Sequence, residues 1–329
     1  MIQCEVSVIM SFYNESCGEI YRAIDSIINQ TFDRWELIVI CDCPENIDLF
    51  NQVKSKYSSN GKIHVFKNDM NLGLACTMNK AANMSSGKYL ARMDADDISE
   101  ITRIEEQYDY MEEMQLDLSC TGFVYIDDAG NDLHINSINY NSDDIKKRLP
   151  YDNTIHHPTV MMKKTSFDAV GGYRDFPCTQ DYDLWLRMYE KDMKMGIINK
   201  PLLKYTLRKE GISQSKKLKQ LLTRWYIQRL HRAFVKNGIN RYDKGDYELY
   251  LLKNHANDKA FLERFEKQKR IKDRVDSMRG IQSKKVQRGA LMLRLFLASK
   301  VYRRYYIELL YGKVMIRIIT LKEKKGYEN

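Results

Sequence analysis

The first hundred residues alternate short apolar runs with amphipathic segments, and this alternation limits the folds that the chain can adopt. Residues 6–13 form an apolar run too short for anything but a strand, residues 18–29 have helical periodicity, and residues 36–41 form a second apolar run. A strand, a helix and a strand in this order predict a βαβ unit, whose strands are parallel and whose crossover is right-handed.

The same alternation continues along the chain. A strand at 62–67, a helix at 75–84 and a strand at 89–93 are predicted next. We therefore predict an α/β fold of the Rossmann-like type, with a mostly parallel sheet flanked by helices. Ligands of such sheets bind beyond the carboxyl ends of the strands, and the residues that end the strands here are Tyr13, Asp42 and the acidic residues at 94–97.

The acidic residues Asp94, Asp96 and Asp97 directly follow a strand that reads as buried. Desolvated carboxylates must be paired with a cation or bound to a metal. Mg²⁺ and Mn²⁺ prefer oxygen ligands, and they usually take one or two protein carboxylates while water and substrate phosphates complete the shell. The motif predicts a divalent metal and a nucleoside diphosphate. For the three residues alone, the alternative is a solvated acidic turn that caps the next helix at Ser99.

Residues 5–213 contain a series of short motifs. They are Val-Ser-Val-Ile-Met-Ser-Phe-Tyr-Asn-Glu from Val6, Ser-Ile-Ile-Asn-Gln-Thr-Phe from Ser26, Glu-Leu-Ile-Val-Ile-Cys-Asp from Glu36, Asn-Leu-Gly-Leu-Ala from Asn71, Gly-Lys-Tyr-Leu-Ala-Arg-Met-Asp-Ala-Asp-Asp from Gly87, His-His-Pro-Thr-Val-Met-Met from His156, Gly-Gly-Tyr-Arg from Gly171 and Gln-Asp-Tyr-Asp-Leu-Trp-Leu-Arg from Gln180. In these motifs, their order and their spacing, the chain resembles the family 2 glycosyltransferases with the GT-A fold, and is similar to bacterial enzymes of O-antigen and capsule synthesis.

The resemblance implies roles for the residues at the strand ends. It implies that Tyr13 lies against the nucleotide base, that Asp42 accepts a hydrogen bond from uracil, and that Asn71 belongs to the nucleotide-sugar site. It further implies that Asp94 and Asp96 form the family's DxD motif and hold Mn²⁺ or Mg²⁺, with Asp96 favoured as the direct ligand. An aromatic ring offers a base a stacking face, and an ionised acceptor strengthens a hydrogen bond to an imide.

Two arginines are candidate phosphate ligands. Arg103 lies about one helical turn beyond the acidic motif, although a solvated helix arginine is the alternative. The family often continues with Tyr-Arg-x-His in a loop over the donor. Here the segment reads Tyr-Thr-Leu-Arg at 205–208, so the histidine is missing and Arg208 becomes a candidate phosphate clamp.

Transfer with inversion needs a base that takes a proton from the acceptor hydroxyl. The resemblance implies that Asp181, the carboxylate of the family's Glu-Asp or Gln-Asp motif, has this role. It precedes a helical run at 184–189, so an N-capping role is the alternative. A helix N-terminus lowers the basicity of a carboxylate, and burial would have to counteract this effect. Asp183 is the second choice for the base.

The charge of the chain divides it into two parts. Residues 1–207 carry 21 Lys and Arg against 32 Asp and Glu, whereas residues 208–329 carry 32 against 12. We predict a catalytic domain at 1–212 and a basic helical region at 213–329, with helices near 218–237, 247–278 and 287–321. No charge-free run approaches the roughly 20 residues of a membrane span.

Apolar and aromatic residues mixed with Lys and Arg suit helices that lie on an anionic membrane surface. The alternative is that these apolar residues pack the basic region onto the catalytic domain. No signal peptide precedes the first strand, and the seven scattered cysteines predict no disulfide framework or zinc site. We expect a cytoplasmic protein that is peripheral on the inner face of the cell membrane, and no nucleic-acid partner.

The resemblance implies an inverting, metal-assisted hexosyltransferase that uses a UDP-sugar. Its acceptor would be a hydroxyl of a polyprenyl-diphosphate-linked saccharide in surface polysaccharide assembly. Two other classes stay open. A nucleotidyltransferase would need a Gly-rich phosphate loop after the first strand, where this chain has Phe12-Tyr13-Asn14-Glu15. A non-catalytic sugar-nucleotide-binding protein would be expected to lack an acidic group at Asp96 or Asp181, and both are present.

Overall fold

A computed structural model describes residues 4–127, 130–136, 142–207 and 217–326. Within these residues, nine strands form one mixed sheet. The strands are β1 Val6–Phe12, β2 Trp35–Cys41, β3 Ile63–Lys67, β4 Tyr89–Asp94, β5 Ile98–Ser99, β6 Leu118–Ile126, β7 Asp132–Asn136, β8 Met161–Lys163 and β9 Met195–Thr206. Their order across the sheet is β3-β2-β1-β4-β8-β6-β9-β5, and β7 pairs with β6.

Helices lie on the sheet and form the carboxyl-terminal third of the described chain. In chain order they are α1 Cys17–Ile28, α2 Ile47–Tyr57, α3 Leu74–Met84, α4 Arg103–Glu113, α5 Ser142–Arg148, α6 Lys164–Ala169, α7 Gln180–Glu190, α8 Lys217–Asn237, α9 Lys244–Lys253, α10 Lys259–Ser277, α11 Lys285–Ala298 and α12 Lys300–Gly326. The predicted α/β class, with flanking helices and a helical extension, is confirmed. The sheet is mixed rather than mostly parallel, because half of the strand pairings among the described residues are antiparallel.

The first four strands in the order β3-β2-β1-β4 are parallel to one another. Phe12 on β1 pairs with Cys41 on β2, and Ser11 pairs with Asp94 on β4. The carboxyl ends of these strands therefore lie at one edge of the sheet, as a right-handed βαβ arrangement requires. The rest of the sheet is joined through β8, which is antiparallel to both β4 and β6.

Local sequence signals explain the first helix. Ser16 and Glu19 form a reciprocal capping box, in which the Glu19 amide donates to the Ser16 side chain and the Glu19 carboxylate accepts from the Ser16 amide. Ile20, Ile24 and Ile27 recur at helical spacing and are fully buried. The helix predicted for 18–29 is present, shifted by one residue.

Two long helices predicted in the basic region are each broken into two. The first break, between α9 and α10, has His255 in the left-handed region (φ 57°) and Asp258 as the N-cap that accepts from the Phe261 amide. The second break is Ser299, whose hydroxyl accepts from the Tyr302 amide and donates to Gln268. At both breaks the apolar periodicity of the sequence continues without interruption. A polar side chain there caps a new helix, which divides the predicted one.

The basic region shares a hydrophobic core with the sheet. Trp185 of α7, Trp225 of α8 and Tyr302 of α12 are all buried in one cluster of apolar side chains. The boundary predicted at residue 212 lies outside the described residues, and the division into two domains stays a prediction. Among the residues that the structure describes, no helix has the length and apolar composition needed to cross a bilayer.

Substituting Gly87 by alanine should destabilise the sheet. Gly87 lies two residues before β4, and an added Cβ there would be 2.6 Å from the backbone nitrogen of Ser7 on β1. Overpacking of this kind costs about 1–3 kcal/mol, and urea denaturation would measure it. Gly61→Ala is the matched control, because nothing lies within 4 Å of a Cβ at that position. Equal stability of the two variants would contradict the close approach of β4 to β1.

Candidate functional site

The candidate site lies at the sheet edge where the four parallel strands end. Tyr13 follows β1, Asp42 follows β2, Asn68 follows β3, and Asp94 is the last residue of β4. The strand register brings these positions to one edge. This is the edge at which open α/β sheets bind their ligands, so the strand ends identified from the sequence do converge.

Asp42 is buried and joins β2 to the loop before α3. Its Oδ1 accepts from the Asn68 side-chain amide at 2.8 Å and from the Leu72 backbone at 2.9 Å, while its Oδ2 accepts from the Gly73 backbone at 2.9 Å. Lys80 in turn donates to Asn68 at 2.8 Å. A carboxylate offers about four acceptor positions, so these three bonds leave Oδ2 with capacity for one further donor.

Tyr13 and Asn71 are more exposed than Asp42. Tyr13 is 49% exposed, and its backbone amide donates to Glu15 at 2.6 Å. The side-chain carbonyl of Asn71 accepts from the Gly73 amide at 3.1 Å, in the same loop that Asp42 holds. Tyr13 therefore lies at the surface of the candidate site, and Asn71 lies in the adjoining loop.

Asp94, Asp96 and Asp97 form a compact acidic cluster. Each offers a carboxylate oxygen that lies within 4.8 Å of those of the other two. Asp97 is buried, and one of its oxygens has no hydrogen-bond donor among the described residues. Burial, together with the charges of Asp94 and Asp96, raises the pKa of Asp97 well above its ordinary value. An all-oxygen donor set with an unsatisfied buried oxygen fits a divalent cation such as Mg²⁺ or Mn²⁺.

Arg92, which the sequence analysis missed, is the buried counter-ion of this cluster. Its guanidinium forms an ion pair with Asp94, while Nε and Nη1 are buried without a partner in the described part of the chain. Its positive charge also opposes the burial-driven rise in the pKa of Asp181. The sequence alone could have indicated Arg92. Side chains two residues apart on a strand face the same side of the sheet, so Arg92 and Asp94 face the same side.

Thr206 at the end of β9 holds the acidic loop in place. Its backbone amide donates to the buried carboxylate of Asp97 at 2.9 Å, and its hydroxyl donates to the backbone carbonyl of Asp96. The partners are about 110 residues apart in the chain. No local pattern signals such a contact, so it could only be found in the structure.

Arg103 does not point towards the site, and its predicted contact with phosphate is corrected. It is fully buried under β4, where it donates to the Gln107 side chain at 2.9 Å, to the Arg92 carbonyl at 2.8 Å and to the Met93 sulfur at 3.5 Å. Burial lowers the pKa of Arg103 to about 9. The other arginine candidate, Arg208, lies outside the described residues.

Asp181 lies in the first turn of α7, as predicted. Its Oδ2 accepts from the side-chain amide of Asn153 at 2.9 Å, which fixes the direction of the carboxylate. Burial raises the pKa of Asp181, although the hydrogen bonds and the charge of Arg92 oppose the rise. Thr179, the residue before the helix, adopts a left-handed conformation (φ 64°) and makes no side-chain cap.

Asp183 has a different environment from Asp181. It is almost fully buried and pairs with Arg187 at 2.8 Å and with Arg174 at 3.2 Å. Because each of its oxygens is held by a guanidinium group and the side chain is buried, Asp183 is not accessible to an acceptor hydroxyl. The suggestion that Asp183 could be the second choice for the base is therefore corrected, and its role is to pack α7.

The adjacent histidines 156 and 157 lie behind the site. His157 is hydrogen-bonded through Nε2 to the Tyr173 hydroxyl at 2.7 Å, and burial and then Arg92 lower the pKa of His157 well below its ordinary value. Burial lowers the pKa of His156 to about 4. Both rings are neutral near pH 7, and neither belongs to the acidic cluster.

The chain is similar to proteins of one family. The model of "Glycosyl transferase family 2" matches residues 7–171. An uncharacterized glycosyltransferase of Methanocaldococcus jannaschii is 34% identical over 237 residues, which cover 71% of this chain and 82% of that protein. The O-antigen biosynthesis glycosyltransferase WbnJ of Escherichia coli is 30% identical over 213 residues, which cover 64% of this chain and 82% of WbnJ.

Solved structures show the same fold. The structure of Staphylococcus aureus TarS residues 1–349 in complex with UDP-GlcNAc superposes with a TM-score of 0.58 at 16% identity, and the match covers 98% of this chain and 92% of that one. This chain spans 53% of a longer TarS structure, at a TM-score of 0.57 and 15% identity. The similarity identifies the fold as GT-A type.

Neutralising Asp181 and neutralising Asp183, the two carboxylates of α7, should have very different effects on the free energy of unfolding. Asp183→Asn leaves Arg174 and Arg187 without their anion, so the free energy of unfolding should fall by about 3–5 kcal/mol. Asp181→Asn should be neutral or slightly stabilising at pH 7, because the raised pKa means that the charged form is disfavoured in the folded state. Urea denaturation of both variants measures the difference, and equal losses would contradict this assignment.

Proposed function

The chain belongs to glycosyl transferase family 2, and from this premise we propose that it transfers a hexose with inversion. The proposed donor is a UDP-sugar of the glucose or galactose type, and the proposed acceptor is a hydroxyl of a polyprenyl-diphosphate-linked saccharide. The proposed process is assembly of a surface polysaccharide such as O-antigen or capsule. The name of WbnJ, which places that relative in O-antigen biosynthesis, supports this last step.

One observation carries the proposal. The acidic cluster of Asp94, Asp96 and Asp97 lies at the edge where the parallel strands end, and a partly buried carboxylate, Asp181, is within electrostatic range of the same Arg92. The shared influence of Arg92 supports the proposal that the metal site and the base act together. A base would take the proton of the attacking hydroxyl, and a cation would stabilise the departing diphosphate.

The nucleotide would lie across the ends of β1 and β2. The exposed ring of Tyr13 offers a stacking face for the base, and Oδ2 of Asp42 has capacity for one donor such as the uracil imide. Asn71 is proposed to contact the nucleotide-sugar from the loop that Asp42 holds. The complex of TarS with UDP-GlcNAc supports a UDP-sugar donor by analogy of fold.

Asp94 and Asp96 would hold Mn²⁺ or Mg²⁺. When bound, the metal supplies positive charge that stabilises the departing diphosphate. The protein fixes the ligands beforehand, since Arg92 orients Asp94 and Thr206 holds the backbone of Asp96. Arg208 is proposed as a phosphate clamp from its place in the sequence alone, and Arg103 no longer belongs to the set.

Asp181 is proposed as the base that accepts the proton of the acceptor hydroxyl. Its raised pKa makes the carboxylate a better proton acceptor than an exposed aspartate would be. The hydrogen bond from Asn153 orients the carboxylate. The acceptor would approach from the side of α7, on which the basic region also packs.

Donor use should depend on metal and on Asp96. In a hydrolysis screen of UDP-, GDP- and dTDP-hexoses, the wild-type chain should release UDP only from the UDP-sugars and only with Mn²⁺ or Mg²⁺, and EDTA should abolish the release. Asp96→Asn should weaken metal-dependent UDP binding by at least about tenfold, because even outer-shell changes cost a metal site that much. Calorimetric titration with UDP, with and without Mn²⁺, is the measurement.

Asp109→Asn is the control for this variant, because it makes the same chemical change at an exposed residue of α4. Equal metal-dependent UDP affinity in both variants would exclude Asp96 from the metal site.

Removing the base should slow transfer and spare donor binding. Asp181→Asn should lower the transfer rate by about two to four orders of magnitude, the usual contribution of a positioned base, with UDP affinity unchanged. The wild-type rate should fall as the pH drops through a pKa above the ordinary aspartate value of 3.8, because burial raises the pKa of Asp181. Near wild-type transfer by a folded Asp181→Asn protein would exclude this role.

A further inference from the structure

The last helix, α12, presents two different apolar faces. Its inner face packs into the core through Val301 and Tyr302, and the Tyr302 ring stacks on Phe265 with centroids 5.6 Å apart. At Gly312 the helix comes so close to the catalytic part that an added Cβ would lie 3.0 Å from the Cβ of Tyr151. Packing therefore accounts for one side of the helix only.

The opposite side carries a row of exposed aliphatic residues, which we call the outer stripe. Its members recur at helical spacing and are each 39–64% exposed. They are Ile307, Leu310, Val314, Ile318 and Leu321. The outer stripe runs for roughly 21 Å along the helix axis. Water-facing sides of helices are normally polar, so a continuous apolar row of this length indicates an interaction surface.

The charges around the outer stripe are positive. Lys313 and Arg317 are exposed and each lies one helical turn from a stripe residue, and Lys300 is exposed at the start of the helix. Among the described side chains of α12, Glu308 is the one acidic group, and it already faces Arg232 and Arg304 at 3.9 and 3.8 Å. An aliphatic row bordered by cations is complementary to an anionic lipid surface, where acyl chains meet acidic headgroups.

We propose that the outer stripe of α12 is the surface through which this protein docks on an anionic lipid leaflet, with the helix lying in the plane of the headgroups. A second copy of the chain is the competing occupant. It is disfavoured because pairing two outer stripes would bring the cations of Lys313 and Arg317 together. The preceding helix α11 also carries exposed aliphatic residues, namely Val286, Leu293 and Leu297.

The helix that carries this docking surface on its outer side is in contact, through its inner side, with the loop that holds the proposed base. Tyr151, which contacts α12 at Gly312, is two residues from Asn153, and Asn153 donates to Asp181. Arg224 and Gln228 of α8 both donate to the Tyr151 carbonyl, at 2.6 and 3.0 Å, which fixes this loop. In a step that rests on the proposed function, docking through the outer stripe would hold Asp181 near a lipid-linked hydroxyl.

Vesicle co-sedimentation of the full chain tests the proposal without any donor or acceptor. Wild-type protein should bind vesicles of phosphatidylglycerol and phosphatidylcholine, and it should bind pure phosphatidylcholine at least about tenfold more weakly, since headgroup attraction contributes per cation. The double variant Leu310→Glu with Val314→Glu should lose at least about tenfold of the binding to anionic vesicles. Its far-UV thermal unfolding should match that of the wild type, because both side chains are exposed.

Ile101→Glu with Met114→Glu is the matched control. These residues are 55% and 52% exposed on the catalytic part, and the pair makes the same change of charge. It should retain at least half of the vesicle binding. Equal losses in the two double variants would overturn the proposal, since net charge alone would then explain the effect. A stripe variant that binds vesicles like the wild type but converts a dimer to a monomer in sedimentation equilibrium would assign the stripe to a second copy.

A tryptophan placed in the outer stripe reports how deeply the stripe enters the lipid. Leu310→Trp should show a blue-shifted emission on anionic vesicles and quenching by brominated acyl chains. Unquenched emission from vesicle-bound protein would place the stripe away from the lipid. Vesicle binding through the stripe combined with no transfer from any sugar nucleotide would overturn the proposed function and leave the docking surface standing.

Discussion

The candidate site depends on the compensation of charge at the end of one buried strand. Asp94, Asp96 and Asp97 crowd three carboxylates together, and the buried guanidinium of Arg92 offsets only part of their charge. The negative charge that Arg92 does not offset has two signs at Asp97. The pKa of this residue is raised, and one of its carboxylate oxygens has no hydrogen-bond donor among the described residues. A cluster of this kind is costly to the folded state without a cation. The same cost makes it a ready ligand set for a divalent metal bound with a diphosphate.

Local patterns predicted the half of the site that the parallel strands carry. Strand length, helix periodicity and the acidic run placed Tyr13, Asp42 and Asp94 at one edge, because parallel strands bring their carboxyl ends together. The partners that hold these residues were not predictable in the same way. Thr206 reaches Asp97 across 109 residues, and Asn153 reaches Asp181 across 28. Such contacts depend on how the sheet and helices pack, which a single sequence does not display.

The misassigned residues have a common physical reason. Arg103 and Asp183 each sit in a helix at a position where sequence spacing allows either a solvent-facing or an inward direction. In both cases the inward direction is stabilised by several buried hydrogen bonds or ion pairs, whose partners lie in the same helix and in the segment that precedes it. Tertiary pairing therefore decided their orientation, as it did for the capping serine at Ser299 that divides the predicted final helix.

Asp181 shows how the basic region and the chemistry of the site are physically connected. A carboxylate at a helix N-terminus is normally made less basic by the helix dipole, yet burial raises the pKa of Asp181 overall. The helix that carries Asp181, α7, shares a core with α8 and α12. Asn153, which orients the carboxylate, belongs to the loop that Tyr151 anchors to α8 and α12. The basic helices thus contribute to the environment of the proposed base, and the surface on their far side is set at a fixed position relative to it.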